Sequence, residues 1–204
     1  VSVPVTVKHR LGVDDQEPEK TLFGFVETVR ESGVTNFVVH ARKAWLKGLS
    51  PKENRDIPPL DYDLVARLKA ACPDLTLILN GGITTLDQCR EHLKTFDGVM
   101  LGRAAYHTPM LLAQVDRRFF GATTEDVTLE AVMHAMADYA ERELAAGARI
   151  NNITRHMLGL AAGLPGARQF RQIMSVDACK PGADTSVLFR ALAAVTRQPL
   201  EQAS

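Results

Sequence analysis

Four short apolar segments, each followed by polar or glycine residues and a helical pattern, constrain the fold of this chain most. They lie at residues 3–7, 36–40, 75–79 and 98–101. Short apolar strands that alternate with helices are typical of a parallel sheet covered on both faces. In a (β/α) barrel, the residues that follow the strands form the end where ligands bind. The pattern therefore predicts an α/β fold with four strand–helix units of a TIM-barrel type.

The chain changes character after the fourth unit. A helix predicted at residues 106–120 completes that unit, and only helical periodicity follows, at residues 128–145, 152–160, 166–175 and 184–196. A polar, turn-rich segment at 121–127 has the composition of a linker. We therefore predict a barrel part over residues 1–121 and a C-terminal helical domain over residues 122–204.

The charges of the chain balance overall but are unevenly distributed. The sequence has 24 Lys plus Arg and 24 Asp plus Glu, which excludes a protein that wraps nucleic acid through bulk positive charge. Residues 42–55 nevertheless contain five basic residues and only Glu53 as an acid, and residues 147–180 contain five and only Asp177. Any nucleic-acid partner is therefore expected to bind at these two basic stretches.

Composition gives little support to membrane or metal chemistry. No run of about eighteen apolar residues occurs, so we predict no membrane-spanning segment. Cys72, Cys89 and Cys179 are widely spaced and form no Cys-x-x-Cys pair or Cys/His cluster. We therefore predict no metal site and free thiols in a reducing, cytoplasmic location.

Two glycine turns follow consecutive strands of the predicted sheet. Asn80, Gly81 and Gly82 follow the third strand, and Gly102 and Arg103 follow the fourth. In barrels, the backbone N–H groups of such turns bind phosphate, and an arginine adds a fixed positive charge. Either turn alone is equally consistent with an ordinary turn that needs a positive φ angle. The pair together favours a phosphate site.

Two polar side chains are predicted to share the barrel mouth with this phosphate site. Lys8 ends the first predicted strand, and His40 ends the second. Both can donate hydrogen bonds to an electron-rich ring such as that of a flavin and stabilise negative charge on it. The alternatives are a solvated strand end for Lys8 and a core histidine for His40.

The segment from Arg42 to Asp61 is unusually long for a βα loop in a compact domain. It has no clear period and combines basic residues, prolines and Trp45, as a nucleic-acid contact loop does. Lys52 and Arg55 lie three residues apart within it. The alternative is a solvated loop, and for Trp45 itself we predict packing against the barrel.

Arg168 and Arg171 lie three residues apart at the start of a predicted helix, and therefore on one face of it. Cations near a helix N-terminus oppose the helix dipole, so intrinsic helix stability does not favour them there. Their placement favours binding of an anionic partner, and the alternative is a solvated basic face.

Several of these stretches resemble one family, the A class of bacterial tRNA-dihydrouridine synthases. The run Lys-Ala-Trp-Leu-Lys-Gly-Leu-Ser-Pro-Lys in the long loop is the most specific, whereas the glycine turns are shared among flavin barrels. The similar stretches are residues 5–12, 39–55, 78–83, 99–107, 156–160 and 165–168. The resemblance covers nearly the whole chain in order.

The resemblance implies an FMN-dependent enzyme that uses NADPH to reduce uridines 20 and 20a of the tRNA D-loop to 5,6-dihydrouridine. It implies a (β/α)8 barrel with a C-terminal helical domain, a monomer, and a target base that is flipped out toward the flavin. It places Lys8 and His40 against the flavin ring. The residues that it places at the ribityl phosphate are Asn80, Gly81, Gly82, Gly102 and Arg103, and those at tRNA are Lys52, Arg55, Arg168 and Arg171.

The chain departs from the family pattern in one respect that bears on catalysis. In the family a cysteine on a loop of the first barrel half protonates C5 of uracil while hydride reaches C6, and none of the three cysteines here matches it. We therefore expect a C-terminal portion that contains four of the eight βα units and is not a competent synthase alone. Two alternatives stay open: another FMN barrel oxidoreductase that does not bind tRNA tightly, and an RNA-binding fragment without redox function.

Overall fold

A computed structural model describes residues 3–196 of the chain, and they contain a sheet of four parallel strands in sequential order. The strands are β1 (Thr6–Arg10), β2 (Asn36–His40), β3 (Thr76–Asn80) and β4 (Gly98–Met100). Sequential order and parallel pairing confirm the predicted sheet, and both are consistent with part of a (β/α) barrel. No helix among the described residues is long and apolar enough to cross a membrane.

The first strand extends further than the sequence indicates. The sequence predicts a strand over residues 3–7 with Lys8 at its end, but β1 begins at Thr6 and pairs with β2 residue by residue, up to Arg10 opposite His40. The predicted end was wrong because the ladder is formed by backbone N–H and C=O groups, so three consecutive polar side chains do not end a strand. Lys8 therefore lies within β1, and Arg10 occupies its end.

Three helices connect the strands: α1 (Pro18–Arg30), α2 (Tyr62–Ala71) and α3 (Leu86–His92). Each begins at a side-chain cap, because the first N–H groups of a helix need an acceptor. The Glu17 carboxylate accepts from two backbone N–H groups of α1, Asp61 caps α2, and Thr85 forms a capping box with Gln88 in α3. Buried aliphatic residues of the helices and strands form the core beneath these helices, including Leu22, Val26, Phe37, Leu64, Leu68, Leu77 and Leu79.

The chain divides into two compact units, of which one extends through Gly102 and the second begins at Arg103. Within its described residues the second unit contains only helices: α4 (Arg103–His107), a 3₁₀ segment (Pro109–Gln114), α5 (Val115–Phe120), α6 (Leu129–Ala145), α7 (Ile150–Thr154), α8 (Ala167–Ser175), a 3₁₀ turn (Asp177–Cys179) and α9 (Ser186–Thr196). Met133, Ile150, Phe170, Met174 and Leu188 are buried in its core. The predicted domain boundary at residues 121 and 122 stays a prediction.

Two helix predictions in the second unit were wrong. The helix predicted over 106–120 is broken at Thr108, because the residue before a proline avoids the helical region and Pro109 has no N–H to donate. The helix predicted over 152–160 is α7, which ends at Thr154 and is followed by turns.

His9 provides a test of how the first unit responds to acid. Its Nδ1 lies 2.9 Å from the Arg10 carbonyl, its Nε2 is buried without a partner, and its ring packs against Phe25 and Phe37. Burial, and to a smaller extent Lys8, lowers the pKa of His9 below its ordinary value of 6.5, although the hydrogen bond to Arg10 opposes this change.

The unfolded chain therefore binds a proton on His9 more readily than the folded chain does, so the contribution of His9 to stability falls as pH decreases below 6.5. The urea midpoint of the wild type is expected to fall between pH 7 and pH 5.5, and we expect a smaller fall in His9→Phe. The control is His134→Phe, on the exposed face of α6. An equal loss in wild type and His9→Phe would contradict this assignment.

Candidate functional site

Lys8 and Asn80 form a polar network at the carboxyl ends of the strands. The Lys8 ammonium donates to Asn80 Oδ1 at 2.6 Å, and Asn80 Nδ2 donates to the Met100 carbonyl at 2.7 Å. Asn80 is buried, and both groups of its amide are engaged. Among the described residues Asn80 is the one partner of the ammonium, which leaves two of its three N–H groups for a ligand. Asn80 therefore holds Lys8 in place.

Positive charge is concentrated around this network. Burial lowers the pKa of Lys8, and the adjacent Arg10 lowers it further. Burial also lowers the pKa of Arg10, and repulsion from Arg42 and Arg55 lowers it further. Cations that repel one another at one edge of a sheet stabilise an anion that binds among them.

The glycine turn after β3 lies beneath the segment that leads into α2. Gly81 and Gly82 have φ angles of +113° and +70°, and the Tyr62 hydroxyl donates to the Gly81 carbonyl at 2.6 Å. A Cβ on Gly81 would lie 2.6 Å from His40 Cδ2, and one on Gly82 would lie 2.5 Å from Leu60 Cδ1. The positive φ angles favour glycine at both positions, and at Gly81 the ring of His40 also leaves little room for a Cβ.

Gly102, after β4, differs from these two glycines. Its φ angle is not in the left-handed region, and apart from its two chain neighbours no described residue has an atom within 4 Å of where its Cβ would be. Nothing within the described residues therefore requires a glycine at this position. A group that approaches the backbone closely from outside the chain would explain it. Arg103 is the first residue of α4 in the second unit and is exposed.

The long loop is ordered by hydrogen bonds to its backbone. The buried Asn54 side chain accepts from the Trp45 N–H and donates to the Trp45 carbonyl, each at 2.7 Å. Arg10 donates to the Lys43 and Asn54 carbonyls, each at 2.8 Å, and Arg42 donates to the Asp56 and Pro58 carbonyls.

This arrangement leaves the two predicted tRNA contacts of the loop at the surface. Arg55 lies in a 3₁₀ turn, Glu53–Arg55, with Lys52 immediately before it, and both side chains are exposed. Trp45 is half-buried. The structure thus brings Lys52 and Arg55 together on one ordered turn.

Arg168 and Arg171 lie in the first turns of α8, as predicted, and both are exposed. The helix has no acidic residue in its first turn and no side-chain cap. Within residues 3–196 neither arginine makes an ion pair. Their charges therefore stand opposed to the helix dipole without compensation by a described carboxylate.

Sequence reasoning missed three residues that shape the site: Arg10, Asn54 and Tyr62. A period of two in β1 places Arg10 on the same side as Lys8 and could have identified it. Asn54 and Tyr62 act through backbone groups that are remote in sequence, so no local pattern marks them. Cys89 is buried in α3, Cys179 is exposed, and no group of three potential metal ligands occurs among the described residues.

Comparison with known proteins identifies relatives along nearly the whole chain. The family model described as "Dihydrouridine synthase (Dus)" matches residues 1–194. A tRNA-dihydrouridine(20/20a) synthase of Salmonella typhimurium is 56% identical over 193 residues, which are 94% of this chain and 58% of that protein. The enzymes of the same name from Pseudomonas syringae pv. tomato and Escherichia coli (strain K12) are 56% and 54% identical, over 87% and 94% of this chain and 53% and 56% of their own lengths.

The chain thus spans between about half and three fifths of the length of these relatives. Within that span the family match covers the parallel sheet, both glycine turns, the long loop and the arginines of α8. The chain belongs to the dihydrouridine synthase family of oxidoreductases.

Proposed function

We propose that this chain supplies the phosphate-binding edge and the tRNA-contacting surface of a cytoplasmic tRNA-dihydrouridine synthase, which uses FMN and NADPH to reduce uridines 20 and 20a. The names of the relatives support tRNA uridines as the substrate. Because these relatives are more than half identical to this chain over 94% of its length, we assign the same substrate here. Family members are TIM barrels, with which the four parallel strands are consistent. We propose a monomer, as the resemblance implies.

The residues at the sheet edge fit FMN in two respects. The open space at Gly102 can admit a phosphate close to the backbone, and a positively charged edge suits its negative charge. When bound there, FMN supplies hydride chemistry that saturates the C5–C6 bond of uracil. The residues proposed to hold its phosphate are Gly81, Gly82, Gly102 and Arg103, and Asn80, whose amide is engaged with Lys8 and Met100, is proposed to contact FMN through the Lys8 that it positions.

Lys8 is proposed to donate toward the pyrimidine side of the flavin ring, with its ammonium oriented by Asn80. Its lowered pKa follows from burial, and a charged donor in such a place stabilises negative charge more strongly than one in water. His40 ends β2 opposite Arg10 and Asn80 and is proposed to donate beside Lys8. The single observation that carries the flavin assignment is this Lys8–Asn80 pair in a positively charged edge.

The tRNA contacts are proposed to come from Lys52, Arg55, Arg168 and Arg171. All four are exposed cations, and tRNA phosphates would be neutralised by them with release of counterions. A flavin oxidoreductase that does not act on RNA would not need Arg168 and Arg171 at the start of α8, where they make no ion pair with a described carboxylate. RNA binding therefore discriminates between the two candidate functions.

The test is the salt dependence of tRNA binding. We expect the double variant Arg168→Ala/Arg171→Ala to weaken binding of an unmodified tRNA transcript, and to reduce the slope of log K against log salt by about 1.5–2, because two phosphate contacts are lost. The control is Arg30→Ala/Arg67→Ala, which removes two exposed arginines that pair with Asp74 and Glu19. Equal effects of the two double variants would contradict the proposed function.

A further inference from the structure

A group of aromatic and cationic side chains in the second unit lies outside the residues assigned so far. Tyr106 and His107 belong to α4, and Arg155 and His156 follow α7. The Tyr106 ring centroid lies 5.4 Å from that of His107 and 6.1 Å from that of His156. Tyr106 is 54% exposed, so part of its ring is open to solvent.

Hydrogen bonds determine the tautomer of a neutral His156 and the orientation of the Tyr106 hydroxyl. Arg155 Nε donates to His156 Nε2 at 3.0 Å, and because an arginine can only donate, Nε2 must be the acceptor nitrogen. The proton of the neutral imidazole is then on Nδ1, which lies 2.9 Å from the Tyr106 hydroxyl oxygen and donates to it. The hydroxyl proton of Tyr106 is therefore directed away from His156 and can be donated to a ligand.

The cluster carries positive charge that no described carboxylate neutralises. Arg155 makes no ion pair within residues 3–196. Its Nε donates to His156, which leaves the N–H groups of its two terminal nitrogens available to a ligand. The sequence around it, residues 147–180, is the second basic stretch of the chain. An exposed aromatic ring beside an arginine, with a hydroxyl donor at its edge, has the composition of a surface that binds single-stranded nucleic acid.

We propose that Tyr106 is a stacking platform for an unpaired nucleobase of RNA, and that Arg155 binds a neighbouring phosphate. This inference rests on the proposed function, since the RNA would be tRNA, but it adds a base-stacking contact at Tyr106 and assigns a specific role to Arg155 within the second basic stretch. His156 is a positioning residue, which orients the Tyr106 hydroxyl and the Arg155 side chain. A purely structural role is the competing explanation, in which the Tyr106–His156–Arg155 hydrogen bonds only hold α4 against the turn after α7.

The experiment is fluorescence anisotropy of a labelled, unmodified tRNA transcript with variants of this chain. We expect Tyr106→Ala and Tyr106→Leu each to weaken binding about 5- to 100-fold, since both lose the π face, whereas Tyr106→Phe retains stacking and changes binding less than about three-fold. Arg155→Gln is expected to reduce the salt slope by about one phosphate contact, while Tyr106→Leu leaves the slope unchanged. The matched control is Tyr139→Leu, because Tyr139 is also exposed but lies on the acidic helix α6.

Each outcome decides between the explanations. Loss of binding in Tyr106→Leu with normal melting and an unaffected Tyr139→Leu supports the stacking platform. Unchanged tRNA binding in Tyr106→Leu, with wild-type binding that still depends on Arg168 and Arg171, overturns this inference and leaves the proposed function standing. Wild-type chain that does not bind the transcript at all overturns both.

Discussion

Replacing Asn54 with alanine is expected to disorder the long basic loop and to weaken tRNA binding by at least about ten-fold. The Asn54 side chain satisfies both the N–H and the carbonyl of Trp45, and its own position is buried. Loss of these partners leaves two half-buried backbone groups of Trp45 unpaired, at a cost of about 1–3 kcal/mol in the free energy of unfolding. Binding is expected to fall because the two proposed tRNA contacts of the loop, Lys52 and Arg55, lie directly before and at the end of the turn that contains Asn54.

Trypsin cleavage measures the disorder directly, because the loop contains Lys47, Lys52 and Arg55. We expect these sites to be cut much faster in Asn54→Ala than in the wild type, with the urea midpoint lowered. The control is Asn152→Ala, which removes an exposed asparagine from α7. Wild-type cleavage rates in Asn54→Ala would show that other contacts, such as those of Arg10, suffice to hold the loop.

The parallel sheet and the edge that carries the candidate site could be predicted because they depend on local patterns. Apolar segments of four to five residues that alternate with helices specify the strand order, and the carboxyl ends of parallel strands must meet at one edge. That rule predicts that Lys8 and Asn80 lie at the same edge of the sheet, and the structure shows in addition that the Lys8 ammonium lies 2.6 Å from Asn80 Oδ1. The exposed pair Arg168 and Arg171 likewise follows from helical spacing.

Contacts made through remote backbone groups could not be predicted in this way. The order of the long loop depends on Asn54 and Arg10, whose partners are carbonyl and N–H groups that any residue would supply. The sequence of the loop therefore predicts its positive charge but not its conformation. The same limit applies to Tyr106, since its link to His156 spans fifty positions of the chain.

Alanine is expected to destabilise the chain at Gly81 and Gly82, in the turn after β3, but not at Gly102, in the turn after β4. Gly81→Ala places a Cβ against His40 at a φ of +113°, and Gly82→Ala places one against Leu60 at a φ of +70°. Overpacking and backbone strain together should lower the free energy of unfolding by about 2–5 kcal/mol in each variant. Gly102→Ala meets no described atom and needs no unusual φ angle, so its melting temperature should stay within about 2 °C of the wild type.

If the space at Gly102 receives the FMN phosphate, the added methyl group must occupy part of it. We therefore expect Gly102→Ala to weaken FMN binding by about ten-fold, measured by quenching of FMN fluorescence, although the variant is as stable as the wild type. Gly81→Ala would lose FMN together with stability, so Gly102→Ala is the variant that separates ligand contact from folding. Wild-type FMN affinity in Gly102→Ala would exclude a close phosphate at that turn and would leave the glycine there without a functional explanation.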